Sequence, residues 1–126
     1  MSDLNTMTAV QLRRLIASRD ISPVDLMRDC IAAIEARNPS INAVFTNNFE
    51  QATKLAQKAG KQAMTGGDLG ALHGLPVLVK DLTDTAELRT TYGSKCFADH
   101  IPDQDAIIVE KLKAAGAIVI LSLIHI

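Results

Sequence analysis

Lys80 ends the apolar run Leu75-Pro-Val-Leu-Val79 and opens a polar stretch, Asp81-Leu-Thr-Asp-Thr85, that leads on to Thr90-Thr91-Tyr92-Gly93-Ser94. A lysine delivered by a buried strand must either be paired or shed its proton. Desolvation disfavours the ammonium and lowers its pKa, by up to ~3–5 units when burial is complete, and a neutral lysine is a general base. The plainer reading is a side chain that reaches solvent at the strand end or pairs with a carboxylate such as Asp84. Asp81 is a poor direct partner for it, because adjacent strand residues point to opposite faces.

Other reactive side chains give weaker signals. Met27 and Cys30 form a soft pair on one helix face, but no third or fourth ligand accompanies them, so core packing is the reading. His73 stands alone ahead of the strand and reads as structural or exposed. Lys54, Lys58 and Lys61 recur at helical spacing, the mark of a solvated face. Thr65-Gly-Gly-Asp-Leu-Gly70 is a connector, since it lacks the Gly-Lys-Ser/Thr ending of a phosphate loop.

These groups need elements to hold them. Thr8-Ala-Val-Gln11 has the spacing of a capping box and starts a helix to about Ser18. Ser22-Pro23-Val24-Asp25 starts a second helix. Its stripe is Val24, Met27, Ile31 and Ile34, and Asn38-Pro39 is expected to stop it. Ile41–Phe45 reads as a short strand. From Phe49 to Met64 a third helix presents Ala52, Leu55, Ala56, Ala59 and Ala63 inward. Residues 76–80 read as a parallel strand covered on both faces.

About 22 residues without periodicity follow, from Asp81 to Pro102, a length that suits a binding loop. Asp103-Gln-Asp105 is expected to open a fourth helix whose buried face is Ile107, Ile108, Val109, Leu112 and Ala115. Gly116 caps it, and residues 117–120 form a second buried strand. The class is therefore α/β, with N-terminal helices followed by a βαβ unit whose crossover should be right-handed. Ligands of such sheets bind at the carboxyl ends of the strands, where Lys80 falls.

Composition narrows the function classes. The 126 residues suit one domain, and a net charge of -1 with 3% aromatic residues offers nucleic acid neither a basic field nor stacking platforms. Cys30 and Cys96 belong to no metal-spaced cluster and read as reduced thiols. With no signal-peptide pattern and no apolar run of membrane length, the cytoplasm is the expected compartment.

Several of these segments in order resemble the N-terminal part of the amidase signature family. They are Gly74-Leu-Pro-Val-Leu-Val-Lys-Asp81, Asp84-Thr-Ala86, Thr90-Thr-Tyr-Gly-Ser94, Asp105-Ala106 and Leu112-Lys-Ala-Ala-Gly-Ala-Ile-Val-Ile120. Ile21-Ser-Pro-Val24 and Arg37-Asn-Pro-Ser-Ile-Asn-Ala43 are similar too, so the resemblance runs over residues 5–120. The family includes general amidases, fatty acid amide hydrolases and the amidase component of glutamyl-tRNA amidotransferase.

The resemblance implies that the βαβ unit begins a mixed central sheet and that Lys80 is the base of a Ser, cis-Ser, Lys triad hydrolysing amide carbon–nitrogen bonds without cofactor or metal. Both serines and the oxyanion-hole segment would lie downstream of anything present here. Ser94 reads as a turn or pocket residue rather than the nucleophile. Leu82 stands where many members have Asn, a change that leaves the base intact.

After Ile120 the family pattern continues through Gly-Lys-Thr-Asn, whereas Leu121-Ser-Leu-Ile-His-Ile126 matches what a common sequencing adapter encodes in one frame. A non-native tail on a single partial domain, 1–126, is expected, and His125 receives no role. Such a piece alone should be inactive. The implied partners are a small-molecule amide in the full-length protein and possible homo-oligomers or amidotransferase subunits. A non-catalytic interaction module is the alternative, and a nucleotide-binding βαβ half is weakened by the absence of a Gly-rich turn after residue 80.

Overall fold

The computed structural model describes residues 4–123, so His125 and the rest of 124–126 lie outside the described residues. After a short 3-10 turn, Leu4–Thr6, come α1 (Ala9–Ser18), α2 (Pro23–Ile41), β1 (Val44–Asn47) and α3 (Phe49–Met64). Then follow β2 (Pro76–Lys80), a second 3-10 turn (Lys95–Phe97), α4 (Ile107–Ala114) and β3 (Ile118–Leu123).

The helix starts form where the capping residues stand. Gln11 N–H donates to Thr8 Oγ1 at 3.2 Å and Thr8 N–H donates to the Gln11 side chain at 2.9 Å, a closed capping box. Ser22 caps α2 by accepting the N–H of Asp25 at 3.0 Å, with Pro23 in the first turn. The end of α2 departs from expectation, for the helix runs through Pro39 to Ile41. Asn38 is not the stop. Its carbonyl accepts the N–H of Asn42, which adopts a left-handed φ of 49°, and its side chain brackets Val44 N and O. Pro39 has no N–H for the carbonyl four residues back, so the helix gives up one hydrogen bond there and ends two residues on, at Ile41. Ile41 is accordingly helical, and the first strand lies at Val44–Asn47 rather than 41–45.

The sheet has the order β1-β3-β2, with β3 parallel to β2 and antiparallel to β1. It is thus the mixed sheet expected. Its registers pair Val77 with Val119 but Leu78 with Leu121, so Ile120 is an extra residue on β3. The Ile120 carbonyl is turned to accept Asn48 N–H at 3.0 Å, tying the start of α3 to the sheet.

One sheet face is covered by α2 and α3, where Met27, Ala52, Ala56 and Ala59 meet Ile118 and Ile120. The alanines let the two helices approach closely, while Leu55, expected inside, is 39% exposed. On the other face Val79 and Val119 pack against Leu88 and Val109. Helix α1 adds a third cluster of Leu4, Leu12, Ile16, Leu26 and Leu75. Met27 is buried and Cys30 packs beside it. Burial, and secondarily Asp29, pushes the Cys30 thiol pKa up.

β2 is not covered on both faces. Val79 is buried, yet Leu78 is 44% exposed and Lys80 is exposed as well. Helix α4 begins at Ile107 rather than at the acidic residues, and of its expected inner face Val109 is fully buried while Ile107 and Ile108 are 74% and 60% exposed. Its end matches expectation. Gly116 N–H donates to Lys113 O and Ala117 N–H to Leu112 O, a Schellman closure with Gly116 at φ +95°.

Candidate active site

The site grows from the point where β2 ends. Lys80 is the last residue of β2, and the following backbone still belongs to the sheet, since Asp81 N–H donates to Leu123 O at 2.7 Å. Alternation then turns Asp81 inward. Its side chain is 2% exposed and receives four protein donors: Thr91 N–H at 2.8 Å, the Thr91 hydroxyl, Gly93 N–H at 3.4 Å and the Ser122 hydroxyl at 3.2 Å. Burial pushes this carboxyl pKa up, but the hydrogen bonds from Thr91, Gly93 and Ser122 together outweigh it and hold the pKa below its ordinary value. Asp81 therefore stays ionised and acts as an anchor, a role that its place in the sequence does not announce.

What it anchors is a strained turn. Tyr92 and Gly93 have φ of 53° and 68°, and the turn closes with Ser94 N–H on Thr91 O at 2.9 Å. Two successive left-handed residues are the requirement of a type I′ turn. Glycine meets it freely, whereas a tyrosine there costs ~1–2 kcal/mol. The surroundings supply the difference. Tyr92 N–H donates to Asp81 O at 2.9 Å, and the Tyr92 hydroxyl donates to Asp84 and lies 3.3 Å from His100 Nε2. The Tyr92 ring also meets Phe97 edge-on, at 5.1 Å between centroids. The bond to Asp84, followed by burial, raises the Tyr92 pKa and keeps its proton in place.

The long segment after β2 is thus an ordered loop. Thr90 N–H donates to His100 O at 3.0 Å, Ala106 N–H to Asp84 O at 2.8 Å, and Ala86 N–H to Asp105 Oδ1 at 2.7 Å. Asp105, expected at the start of α4, instead ties that loop to Lys113, whose Nζ lies 2.7 Å from Oδ2. Arg89 clamps the loop to β1. Its guanidinium lies 4.4 Å from the Phe45 ring centroid and donates to Ala98 O at 3.0 Å.

Lys80, Asp81, Leu82, Tyr92, Gly93 and Ser94 share the wall of a cavity of about 580 Å³ that also includes Phe45 and Ala98. That volume lies within the ~300–1,000 Å³ of ligand sites. Ser94 accepts Cys96 N–H at 3.3 Å and so caps the 3-10 turn, in keeping with a turn and pocket residue. His73 is elsewhere and structural: its Nε2 lies 2.9 Å from Ala59 O and it is 6% exposed. Among the described residues no cluster of three or more His, Cys, Asp or Glu could hold a metal ion.

The amidase family profile matches residues 25–122, which takes in the strand, the loop and the cavity. The chain belongs to the amidase signature family. It is 37% identical over 116 residues to an acylamidase of Rhodococcus erythropolis. It is 38% identical over 116 residues to a glutamyl-tRNA(Gln) amidotransferase component, the A-type one, of Carboxydothermus hydrogenoformans. Both alignments cover 92% of this chain and 24% of the relative, so the chain spans about a quarter of the length of the curated relatives it matches. Among solved structures, the peptide amidase of Stenotrophomonas maltophilia superposes with a TM-score of 0.85 at 28% identity, over 94% of this chain and 24% of that one. A fatty acid amide hydrolase does so at 0.90 with 18% identity, over 98% of this chain and 22% of that one, a likeness of fold. Among the described residues no helix is long and apolar enough to cross a membrane.

Proposed function

We propose that this chain is the lysine-bearing quarter of a serine amidohydrolase that cleaves amide carbon–nitrogen bonds, with Lys80 as the base of a Ser, cis-Ser, Lys relay. The observation that carries the reading is Lys80 at the carboxyl end of β2, on the wall of a ligand-sized cavity, within a chain of the amidase family. As the base, Lys80 takes a proton through the bridging serine as the partner serine attacks the amide carbonyl. The tetrahedral intermediate collapses to an acyl-enzyme with departure of the amine, and water releases the acid.

Several serines present here are engaged in other ways. Ser22 caps α2, Ser94 caps a turn, Ser122 bonds Asp81, and Ser18 and Ser40 back-bond to the helix carbonyls of Arg14 and Arg37. The nucleophile and the bridge are assigned to the longer protein, where a small-molecule amide is the substrate and self-association or amidotransferase subunits are the candidate assemblies. Residues 1–126 are one partial domain in this reading; of the tail expected over 121–126, residues 121–123 belong to β3 and the family match reaches residue 122.

The test compares two proteins. The purified 126-residue chain should show no amide turnover, whereas the complete gene product should hydrolyse simple amides and lose about 10²–10⁴-fold in kcat on Lys80→Ala. Turnover by the 126-residue chain that disappears with Lys80→Ala would overturn the claim that serines from outside it are needed. The exposed Ile107 and Ile108 support a second reading, an interaction module. Assembly of the chain with one partner at fixed stoichiometry, with no amide turnover by the complete gene product, would favour it.

A further inference from the structure

We propose that the outer edge of β2 pairs antiparallel with β2 of a second copy of this chain, about a two-fold axis at Leu78, joining two three-stranded sheets into one of six strands. The inference rests on the sheet and its hydrogen bonds and is independent of the amidase reading. Three observations lead to it.

First, β2 stands at the end of the order β1-β3-β2, and among the described residues no strand lies on its other side. Leu75 O accepts Ile118 N–H at 2.8 Å and Asp81 N–H donates to Leu123 O at 2.7 Å, so the odd-numbered residues from 75 to 81 turn their backbone groups to β3. The N–H and C=O of Leu78, midway between them, are directed away from the sheet. Such groups are a template for another strand. The chain spans about a quarter of the length of the curated relatives it matches, and its three described strands leave this edge uncovered.

Second, the edge is its own complement. A two-fold axis at Leu78 sets this residue opposite its counterpart, where the two exchange both N–H···O=C bonds. The same register sets Pro76 opposite Lys80. Pro76 has no N–H to offer, and the Lys80 carbonyl already accepts Thr83 N–H at 3.0 Å. An axis at Val77 would instead set the Leu78 carbonyl against Pro76, which cannot donate to it. Charge does not oppose the pairing either. Lys80 is the charged residue of β2, and the two copies of it stand at opposite ends of the ladder, roughly 14 Å apart along strands that rise ~3.4 Å per residue.

Third, apolar surface flanks the edge. Leu78 is 44% exposed and lines a groove of about 340 Å³ with Val44 and Ile41, which is 52% exposed; Asn5, Arg37 and Asn38 are polar members of the lining. Residues directly opposite in an antiparallel pair lie on one face, so the two Leu78 side chains meet beside both grooves. The result is an isologous contact that closes at two copies. It is small against the ~1,200–2,000 Å² of stable complexes, so the dimer is weak.

The test is sedimentation velocity of the 126-residue chain from about 10 μM to about 1 mM, where a monomer–dimer equilibrium with a dissociation constant on the order of 100 μM is expected. Leu78→Pro should abolish the dimer at an unchanged far-UV circular dichroism spectrum, because the N–H it removes is not bonded to β3. Leu78→Lys sets like charges opposite each other and should weaken the dimer at least about tenfold, which keeps the test decisive if proline disturbs the strand. Ile107→Lys, at a position 74% exposed on α4, should leave it within about twofold of wild type. The register is read by disulfide crosslinking in a chain carrying Cys30→Ser and Cys96→Ser. Leu78→Cys should crosslink to its counterpart under mild oxidation, since the paired Cα atoms stand ~5.5 Å apart, whereas Pro76→Cys, roughly 14 Å from its own, should not. A monomer at every concentration, a dimer untouched by Leu78→Pro and Leu78→Lys, or Pro76→Cys crosslinking as readily as Leu78→Cys would each overturn the proposal. Association abolished by Ile107→Lys but not by Leu78→Lys would assign the contact to α4 and overturn it as well.

Discussion

The carboxylate of Asp81 accepts the backbone N–H of Thr91 at 2.8 Å, and through that bond the end of β2 holds the loop that walls the cavity. Sequence-adjacent residues thus have separate tasks. Lys80 faces the open side, and Asp81, turned inward by strand alternation, fixes the surroundings.

Removing that anchor should destabilise the fold. Asp81→Ala leaves the buried Thr91 N–H and the buried hydroxyls of Thr91 and Ser122 without this acceptor, at about 1–3 kcal/mol for each donor left unsatisfied. A loss on the order of 3 kcal/mol in urea unfolding is expected. Asp81→Asn should cost less, since its carbonyl can still accept from Thr91 N–H. A loss under about 1 kcal/mol in Asp81→Ala would show that the loop is held by its other contacts.

The same carboxyl gives a pH dependence of known sign. Its folded pKa lies below its unfolded value of about 3.9. Its stabilising contribution is therefore complete above about pH 5 and is lost as pH falls through the folded pKa. Asp25, whose carboxyl is lowered chiefly by the Ser22 hydroxyl, acts in the same direction but is half exposed and screened. Unfolding free energies of the wild-type chain and Asp81→Asn, measured from pH 7 down to pH 3, should converge at the acid end. Parallel curves would sink this assignment.

Gly116 carries a steric prediction. At φ +95° a Cβ would stand 2.8 Å from His73 Cα, and the Gly116 carbonyl accepts Gly74 N–H at 3.0 Å, so neither backbone can withdraw freely. Gly116→Ala should lower stability by about 2 kcal/mol or more. Gly67→Ala, where the nearest atom would be 4.0 Å from the new Cβ, is the control and should be within about 0.5 kcal/mol of wild type. Equal behaviour of the two variants would remove the steric argument.

Much of this architecture was legible because local chemistry and tertiary packing agree. Thr8 with Gln11, Ser22 with Pro23, and Gly116 after Ala115 are short-range signals that the fold satisfies as written. The misreadings occur where a distant group overrides the local signal. Asp105 looked like a helix opener but is taken by Ala86 N–H and Lys113. Pro39 reads as a stop, yet the helix runs two residues past it and closes with Asn42 N–H on Asn38 O. Ile107 and Ile108 have core character without core positions, because no element of the described chain covers them. The Lys80 position was readable from the strand pattern. Asp81's role was not, since its partners Thr91, Gly93 and Ser122 lie 10, 12 and 41 residues away, and period-two alternation was the one clue to its inward direction.

Lys80 itself should separate chemistry from stability. Its side chain is exposed at the end of β2, so Lys80→Ala removes little buried surface and should change unfolding free energy by less than about 1 kcal/mol. Asp81→Ala, one residue on, should do the opposite and cost stability first. In the complete gene product the proposed base predicts a large fall in kcat for Lys80→Ala at nearly unchanged melting temperature. Lys80→Arg should not rescue it, because a guanidinium stays protonated and cannot accept the serine proton. Full activity in Lys80→Arg would exclude a proton-accepting role for this residue, and a melting temperature that falls together with kcat would place Lys80 in the scaffold instead.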